Sequence, residues 1–315
     1  ITAVQCNALL EVVVDIAEGY VMGGNAPSPA LSWITDQIEA LRFDDLSVRS
    51  PQMRLEAPRR IGPAGMNSDT RGYVLGGDGG GTDYHTATIQ GVHFWSEASF
   101  QVAASLTLGR SRSAGAHNLE KGYALGGDTT PGDTDTVEGL TFSTEAHFDL
   151  GAILGVAITN AAGVNSSTKG YSLGGDDPGN DYNEIDSVRF SDDTRIAVTA
   201  TLAELSLYGC GVNSATHGYS LGGTTIPGTP WNDITKIRFA DDVTLNPAVT
   251  LTAARGAATG LNDETFGYAV AGYDGSGGTR LIDGVKFSDD TSVNPAATLS
   301  LARSGGAGCQ SGGLI

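Results

Sequence analysis

A short motif, G-Y-x-x-G-G, recurs along the 315-residue chain and constrains its fold more than any other feature. Its opening Gly-Tyr pair occurs six times, at intervals of 48 to 53 residues. The six pairs are Gly19-Tyr20, Gly72-Tyr73, Gly122-Tyr123, Gly170-Tyr171, Gly218-Tyr219 and Gly267-Tyr268. The double glycine is kept in every copy but the last, which has Ala271-Gly272. Regular repetition at about 50 residues predicts an array of similar units.

An apolar pattern accompanies each copy of the motif. A phenylalanine stands 20 to 24 residues after each Gly-Tyr pair, and an aliphatic residue lies five and two positions before it. The phenylalanines are Phe43, Phe94, Phe142, Phe190, Phe239 and Phe287. This spacing breaks the alternation of a strand once, so it predicts a β-bulge.

Each unit contains four short β-prone stretches that are separated by glycine, proline, aspartate and asparagine. In the third copy we predict strand A at 113–118, strand B at 121–125, strand C at 137–142 and strand D after residue 147. The sequence therefore predicts an all-β fold: a six-bladed β-propeller of four-stranded antiparallel blades over residues 17–315. The Gly-Tyr strands should lie second from the axis.

The motif and the apolar third strand resemble the repeat of kelch-type propellers, from about Gly19 to Gln310. The chain departs from the kelch pattern on the outer strand, which usually carries a tryptophan and here reads A-S-L-T-L at 104–108. Divergent kelch-like arrays of this kind are similar to those in virion proteins of tailed bacteriophages and in bacterial surface proteins. The resemblance implies a structural or receptor-facing role.

An amide residue marks strand A in each copy and shows how the ring should close. These amides are Asn67, Asn118, Asn165, Asn213, Asn262 and, at the C-terminus, Gln310. We therefore expect residues 302–310 to form strand A of the first blade, so that the two chain ends pair. Residues 1–16 are then surplus to the ring. Their β-prone run either covers an edge of blade one or joins a neighbouring subunit.

Ring closure would bring Cys309 near the segment that holds Cys6. Two readings stay open, a disulfide between these cysteines or two free buried thiols. The third cysteine, Cys210, aligns with Ala64, Gly115, Ala162 and Thr259, where a small side chain is needed. We predict that Cys210 is a core residue.

Charge excludes some classes of partner. The chain has 36 acidic and 18 basic residues and a formal net charge of −18, which disfavours nucleic acid and anionic membrane surfaces. Its longest apolar stretch, 8–17, is interrupted by Glu11 and Asp15, so no membrane insertion is expected. The acidity suits solubility in a salty or extracellular setting.

No motif for catalysis is visible in the sequence. The five histidines fall at different positions of the repeat, without a second ligand at metal-binding spacing. A copper oxidase, which some kelch propellers are, would need a Tyr, Cys and His cluster. We expect a protein that is not an enzyme and has no cofactor.

The loops between strands B and C vary most between copies and should project from one face. They supply the candidate ligand-binding residues, which are Trp33, Tyr84, Tyr182, Trp231, Tyr273, Asp181 and Asp233. Aromatic faces beside carboxylates suit sugars, and carboxylate clusters also suit Ca²⁺. We expect Trp33 and Trp231 to frame one pocket with Tyr273 between them. The alternative is that aspartate, glycine and aromatic residues only build the loops.

Paired aspartates recur between strands C and D, as in S-D-D-T at 191–194 and 288–291. We interpret these pairs as hydrogen-bonded turns, with a bound cation as the alternative.

For function, we expect a non-enzymatic virion or extracellular surface protein, with other virion or surface subunits and a host glycan or receptor as partners. The alternatives are a secreted carbohydrate-binding or carbohydrate-active propeller and, third, an intracellular adaptor of the kelch type.

Overall fold

The structure is a computed structural model that describes residues 17–26, 34–80, 84–177, 180–225 and 228–311, with only the backbone of Asp181 and Thr225. The described residues form 28 β-strands and no helix, so none that could span a membrane. The surplus segment 1–16, and Cys6 with it, lie outside the described residues.

The strands fall into successive groups, one for each blade. Blade one contains β1 (Glu18–Met22), β2 (Thr35–Arg42), β3 (Val48–Arg49) and β4 (Arg54–Arg59), and blade two contains β5 (Ala64–Asn67), β6 (Arg71–Leu75), β7 (Thr88–His93) and β8 (Ala98–Ser105). Blade three contains β9 (Arg110–Ser111), β10 (Ala114–His117), β11 (Lys121–Leu125), β12 (Asp128–Thr129), β13 (Thr136–Thr141) and β14 (Ala146–Ala152). Blade four contains β15 (Ala162–Asn165), β16 (Lys169–Asp177), β17 (Asn180–Arg189) and β18 (Thr194–Thr201). Blade five contains β19 (Cys210–Asn213), β20 (His217–Thr225), β21 (Thr229–Arg238) and β22 (Val243–Leu245). Blade six contains β23 (Thr259–Asn262), β24 (Phe266–Val270), β25 (Thr279–Lys286), β26 (Thr291–Val293) and β27 (Thr298–Arg303). The last strand, β28 (Ala307–Gln310), belongs to the sheet of blade one.

The blades form a closed ring of six antiparallel sheets, which confirms the predicted propeller. Each sheet has the order A-B-C-D, and each strand A contacts strand A of the blades on either side. The Gly-Tyr strands are second from the axis. The last strand, β28, pairs with β1 so that Cys309 lies opposite Tyr20. The first and last of the described strands therefore close blade one, as predicted.

A ring of glycines packs the six A strands against one another. Its members are Gly65, Gly115, Gly163, Gly211, Gly260 and Gly308, and a Cβ on any of them would overlap the backbone of the member in the preceding blade. Neighbouring blades therefore approach with only backbone between them at this level of the axis.

The repeated aromatic residues join one blade to the next. Each Gly-Tyr tyrosine stacks on the strand C phenylalanine of the following blade, with ring centroids 5.2 to 6.0 Å apart. In four copies its hydroxyl also donates to a carboxylate of the following blade, such as Tyr123 to Asp193 at 2.7 Å and Tyr171 to Asp242 at 2.8 Å. The repeated tyrosine and phenylalanine therefore pack each blade against the next.

The same contacts explain the paired aspartates between strands C and D. The first aspartate of a pair caps the turn, since Asp192 accepts from the hydroxyl of Thr194 at 2.7 Å. The second, Asp193, accepts from Tyr123 and, at 2.6 Å, from Lys121. The geometry matches the hydrogen-bonded turn that the sequence predicts.

Three interfaces between blades contain a buried arginine paired with a carboxylate. The pairs are Arg110 with Glu138, Arg255 with Asp283 and Arg303 with Glu39, and each side chain is at most 2% exposed. In every pair the carboxylate also accepts a backbone N–H of the preceding blade, as Glu39 does from Ser300 at 2.7 Å. Arg303 and Glu39 join the last blade to the first.

Two details differ from the sequence-based expectations. The aliphatic positions of strand C pair regularly with strand B, and the register shift lies in the pairing with strand D, between Thr136 and Glu138. The alternation breaks because strand C is buried on both faces: Val137 and Leu140 point in opposite directions and both are fully buried.

The predicted alignment of blade three was wrong by one residue. His117, not Asn118, occupies the amide position of strand A, and Ala114, not Gly115, matches Cys210. The Gly-Tyr pair lies five residues after His117, as it does after Asn67, Asn165, Asn213 and Asn262. Burial lowers the pKa of His117 to about 4, so this imidazole is neutral at pH 7.

The described cysteines, Cys210 and Cys309, are buried free thiols. The Sγ atom of Cys309 lies 3.8 Å from Sδ of Met22 in the adjacent strand. Burial raises the pKa of Cys210 to about 12, which fits the predicted core role.

Candidate functional site

The strand order places two sets of connections at one end of the ring. The B–C loops and the D–A connections both lie on this end, which we call the loop face. The A–B and C–D turns lie at the other end. The double glycines lie where strand B ends and the chain enters the loop face. The first glycine of each pair has a positive φ, as Gly126 does. A Cβ at Gly126 would overlap the carbonyl oxygen of Ile158 in the D–A connection, so the position needs glycine.

Six residues of the D–A connections form an inner ring around the axis on the loop face. They are Ile61, Arg112, Asn160, Tyr208, Ala257 and Gly305, all with φ between 51° and 66°. Backbone hydrogen bonds of 2.7 to 3.4 Å run from each connection to the preceding one and close into a circle, with Gly62 donating to Gly305. Positive φ is costly for residues other than glycine, above all for β-branched Ile61, and such strain concentrates at functional sites.

An outer ring surrounds the inner one. It consists of the residue that follows each double glycine, namely Asn25, Asp78, Asp128, Asp176, Thr224 and Tyr273. Each of these residues forms a β-bridge with the residue just before the inner-ring member, as Asp176 does with Thr159 and Tyr273 with Gly256. The strand ladder therefore fixes both rings relative to the axis.

The two rings enclose a cavity of about 370 Å³ at the centre of the loop face, which we call the central mouth. Tyr208 and Tyr273 provide its aromatic surface, and Arg112, Asn160 and Asn25 provide its main polar groups. The volume lies within the usual range of ligand pockets, about 300 to 1,000 Å³. A mouth of this composition can stack an apolar face and bond several hydroxyl groups.

The charges of the loop face are unevenly distributed. Blades two, three and four place Asp78, Asp128 and Asp176 in the outer ring, whereas the other blades place neutral residues there. Asp176 holds the inner ring, because its Oδ1 accepts from Asn160 Nδ2 at 2.7 Å. Arg112 is held by Asp128 at 3.2 Å.

Asp133, in the B–C loop of blade three, has an unusual environment. Partial burial and the neighbouring carboxylates of Asp128, Asp176 and Asp177 raise the pKa of Asp133 to about 6, although Arg112 opposes the shift. This carboxyl group therefore changes its charge close to neutral pH.

Asp133→Asn should stabilise the protein at neutral pH. The pKa of Asp133 is about 6 in the fold, against about 3.9 for an unfolded aspartate, so ionisation lowers the free energy of unfolding as pH rises between these values. Allowing for solvent screening, we expect a gain of about 1 kcal/mol at pH 7.5 and none at pH 4. Thermal melts at both pH values measure this gain, and an equal gain at both would contradict it.

A second cavity, of about 410 Å³, lies beside the central mouth between blades two and three. Arg60, Arg112, Asp78, Asp128, His85 and Tyr84 line it. We call it the side pocket. Arg112 and Ile61 border both cavities.

The structure brings two of the candidate residues named from the sequence to these cavities. Tyr273 lines the central mouth and is 38% exposed, and Tyr84 lines the side pocket and is 59% exposed. Trp33 and the side chain of Asp181 lie outside the described residues. Of the three residues predicted to form one pocket, the structure therefore describes only Trp231 of blade five and Tyr273 of blade six.

The remaining candidates lie away from both cavities. Tyr182 donates its hydroxyl to Asp177 and packs on the core between blades three and four. Asp233 is exposed, and its backbone bridges Thr250 within blade five. Trp231 is partly buried with its indole nitrogen against Gly223, where a Cβ would overlap it. These placements favour packing for Tyr182 and Trp231.

Trp231→Ala is accordingly expected to lower the free energy of unfolding by about 2 kcal/mol, because a partly buried indole is lost. The central mouth should be unaffected, because Trp231 does not line it. Thermal melts and glycan binding of the variant measure both effects. Loss of binding at unchanged melting temperature would instead support the ligand-stacking role that the sequence suggested.

The inner ring was missed from the sequence. Arg112, Asn160 and Tyr208 are not among the candidate ligand-binding residues that the sequence predicts. One signal was present: between strands D and A, two successive positions vary among the six copies, and the second of them carries Ile, Arg, Asn, Tyr, Ala or Gly. A position that varies among the copies of a repeat marks a residue whose side chain is not required for packing between blades.

Within the described ranges, no group of three or more His, Cys, Asp or Glu side chains converges as it would to hold a metal ion. No protein-family model matches the chain, and a search of curated proteins finds no matching relative. The chain is a six-bladed β-propeller by its structure.

Proposed function

We propose that this chain is a non-enzymatic propeller of a virion or an extracellular surface, which serves as a structural and receptor-facing module and binds a glycan at the central mouth. The observation that carries the proposal is the inner ring. Five residues other than glycine are held at positive φ around one cavity, and their side chains differ from copy to copy. Strained backbone and variable side chains are expected together where a scaffold presents a binding site.

The chemistry of the mouth suits a sugar. The ring of Tyr208 or Tyr273 offers an apolar face on which sugar C–H groups stack. The amide nitrogen of Asn160 is already bonded to Asp176 and Thr159, whereas Oδ1 of Asn25 is buried without a partner among the described residues. A sugar hydroxyl would satisfy this acceptor, which otherwise costs free energy.

The assembly part of the proposal rests on the repeat. The tyrosines, phenylalanines and glycines that define it are used in contacts between blades. The resemblance to kelch-like propellers of tailed-bacteriophage virions and bacterial surfaces supports a place in a larger assembly. Electron microscopy of the native particle or surface tests it, because a propeller-shaped density with the loop face outward is expected and a freely soluble protein would contradict it.

A glycan array tests the binding part. We expect the wild-type protein to bind a defined subset of glycans, and Tyr208→Ala and Tyr273→Ala to lose at least tenfold in affinity, since sugar-stacking rings are removed. Trp95→Ala is the matched control: this tryptophan is 74% exposed but lies at a C–D turn on the opposite end of the ring. Binding that depends on Trp95 and not on the tyrosines would contradict the proposal.

A second candidate is a secreted carbohydrate-active protein. The raised pKa of Asp133 beside Asp128 and Asp176 favours it, because glycoside hydrolysis uses one carboxyl group kept protonated near a second that is ionised. Product analysis of bound glycans decides between the two. Release of sugars that stops in the Asp133→Asn variant would establish the enzyme, and intact glycans would exclude it.

A further inference from the structure

The side pocket contains two guanidinium groups that are brought together by the propeller itself. Arg60 and Arg112 follow the outer strands of blades one and two, and the N–H of Arg112 donates to the carbonyl of Ile61 at 3.4 Å. The two arginines are therefore held on adjacent backbone segments. Both line the same cavity of about 410 Å³.

Each arginine is fixed by one aspartate of the outer ring. Arg60 donates through Nε to Asp78 at 2.9 Å, and Arg112 donates through Nη1 to Asp128 at 3.2 Å. These contacts orient the planar guanidinium groups before any ligand arrives. Each of these two pairs is neutral by itself.

The groups left over in the pocket are hydrogen-bond donors. Among the described residues, no acceptor is paired with Nη1 or Nη2 of Arg60 or with Nη2 of Arg112. Of the four carboxylate oxygens of Asp78 and Asp128, three accept a hydrogen bond, and Oδ1 of Asp128 has only a longer contact with His85. Asp78 is 3% exposed and accepts from Gly80 as well as from Arg60, and Asp128 has Arg112 on one oxygen and His85 3.7 Å from the other.

An aromatic ring completes the pocket. Tyr84 lies at its rim and is 59% exposed, so one face of the ring is open to a ligand. Unpaired guanidinium donors next to an open aromatic face suit a planar carboxylate attached to a ring that can stack.

We propose that the side pocket binds the carboxylate of an acidic sugar, a uronate or a sialate, with the carboxylate on Arg60 and Arg112 and the sugar ring on Tyr84. This inference rests on the proposed glycan binding and names its ligand class. Arg112 borders both cavities, so an acidic sugar in the side pocket would place the next sugar of the chain towards the central mouth.

The test compares three probes by ligand-observed NMR titration of the full chain: methyl glucuronide, N-acetylneuraminic acid and methyl glucoside. Glucuronide and glucoside differ only in the carboxylate. We expect at least one of the two acidic probes to bind tenfold or more tightly than the glucoside, because charge-assisted hydrogen bonds form only with the carboxylate. This comparison needs no variant and so does not depend on a mutant's folding.

Variants then locate the effect. Arg60→Gln and Arg112→Gln should remove the preference for the acidic probe, and Tyr84→Ala should weaken the acidic and neutral probes alike. Arg54→Gln is the matched control, since Arg54 is 53% exposed on the outer strand of blade one. A preference that persists in both pocket variants, or that Arg54→Gln also abolishes, would overturn the assignment.

The outcomes separate this inference from the proposed function. Equal affinity for glucuronide, sialate and glucoside would overturn the acidic-sugar site and leave glycan binding intact. A glycan array that gives signals only for neutral glycans would do the same. An array without any signal would overturn both proposals.

Discussion

Gly163→Ala is expected to lower the free energy of unfolding by about 3 kcal/mol or more, the upper end of the cost of overpacking a core. Gly163 belongs to the glycine ring, and a Cβ there would overlap backbone atoms of Gly115 in the preceding blade. Two strands would have to separate, and neither has a flexible side chain that could move instead. The measurement is urea denaturation followed by tryptophan fluorescence.

Gly132→Ala is the control for this substitution. Nothing lies within 4 Å of a Cβ at Gly132, in the B–C loop of blade three. Its stability should stay within about 0.5 kcal/mol of the wild type. If the two variants were equally stable, the A strands would not pack through backbone, and the closed ring at the axis would be refuted.

Glu39→Ala should have an effect of similar size, about 3 to 5 kcal/mol, because it leaves a buried charge without its partner. Arg303 is fully buried, and its guanidinium is held by Glu39 and by the carbonyls of Gly23 and Gln37 at 2.9 and 3.0 Å. The pair joins blade six to blade one. Its loss should weaken the point at which the ring closes, and calorimetry should show a melting temperature lower by several degrees.

Two further variants make this result interpretable. The double variant Glu39→Leu with Arg303→Met should recover most of the loss, since removing both charges avoids an unpaired buried ion. Asp241→Ala breaks the exposed pair with Arg238, whose side chains are 46% and 42% exposed, and should change stability by at most about 0.5 kcal/mol. A loss in Glu39→Ala no larger than in Asp241→Ala would contradict the buried pair.

The blades were predictable because their contacts repeat with the sequence. Tyr123 stacks on Phe190 in the way that Tyr73 stacks on Phe142, so a contact between blades appears six times as one motif. The closing strand followed from the same logic, since Gln310 continues the series of amides. Counting back five residues from each Gly-Tyr pair would also have placed His117 correctly.

The buried ion pairs and the site could not be predicted in this way. The strand C position that carries Glu39 has Gln90, Thr235 or Asp283 in other copies, so the pairing follows no single pattern. The partner of Glu39, Arg303, lies 264 residues away. The positive φ of the inner ring is imposed by the hydrogen-bonded circle, and nothing about Ile61 or Tyr208 as residue types indicates it.

Hydrogen exchange with and without the best glycan of the array tests the central claim, that the repeat builds the ring and the loop face binds. We predict slower exchange on binding in the D–A connections, at 60–62, 111–113, 159–161, 207–209, 256–258 and 304–306, and no change in the A–B turns at the other end of the ring. Protection confined to the A–B turns, with the D–A connections unchanged, would contradict the account.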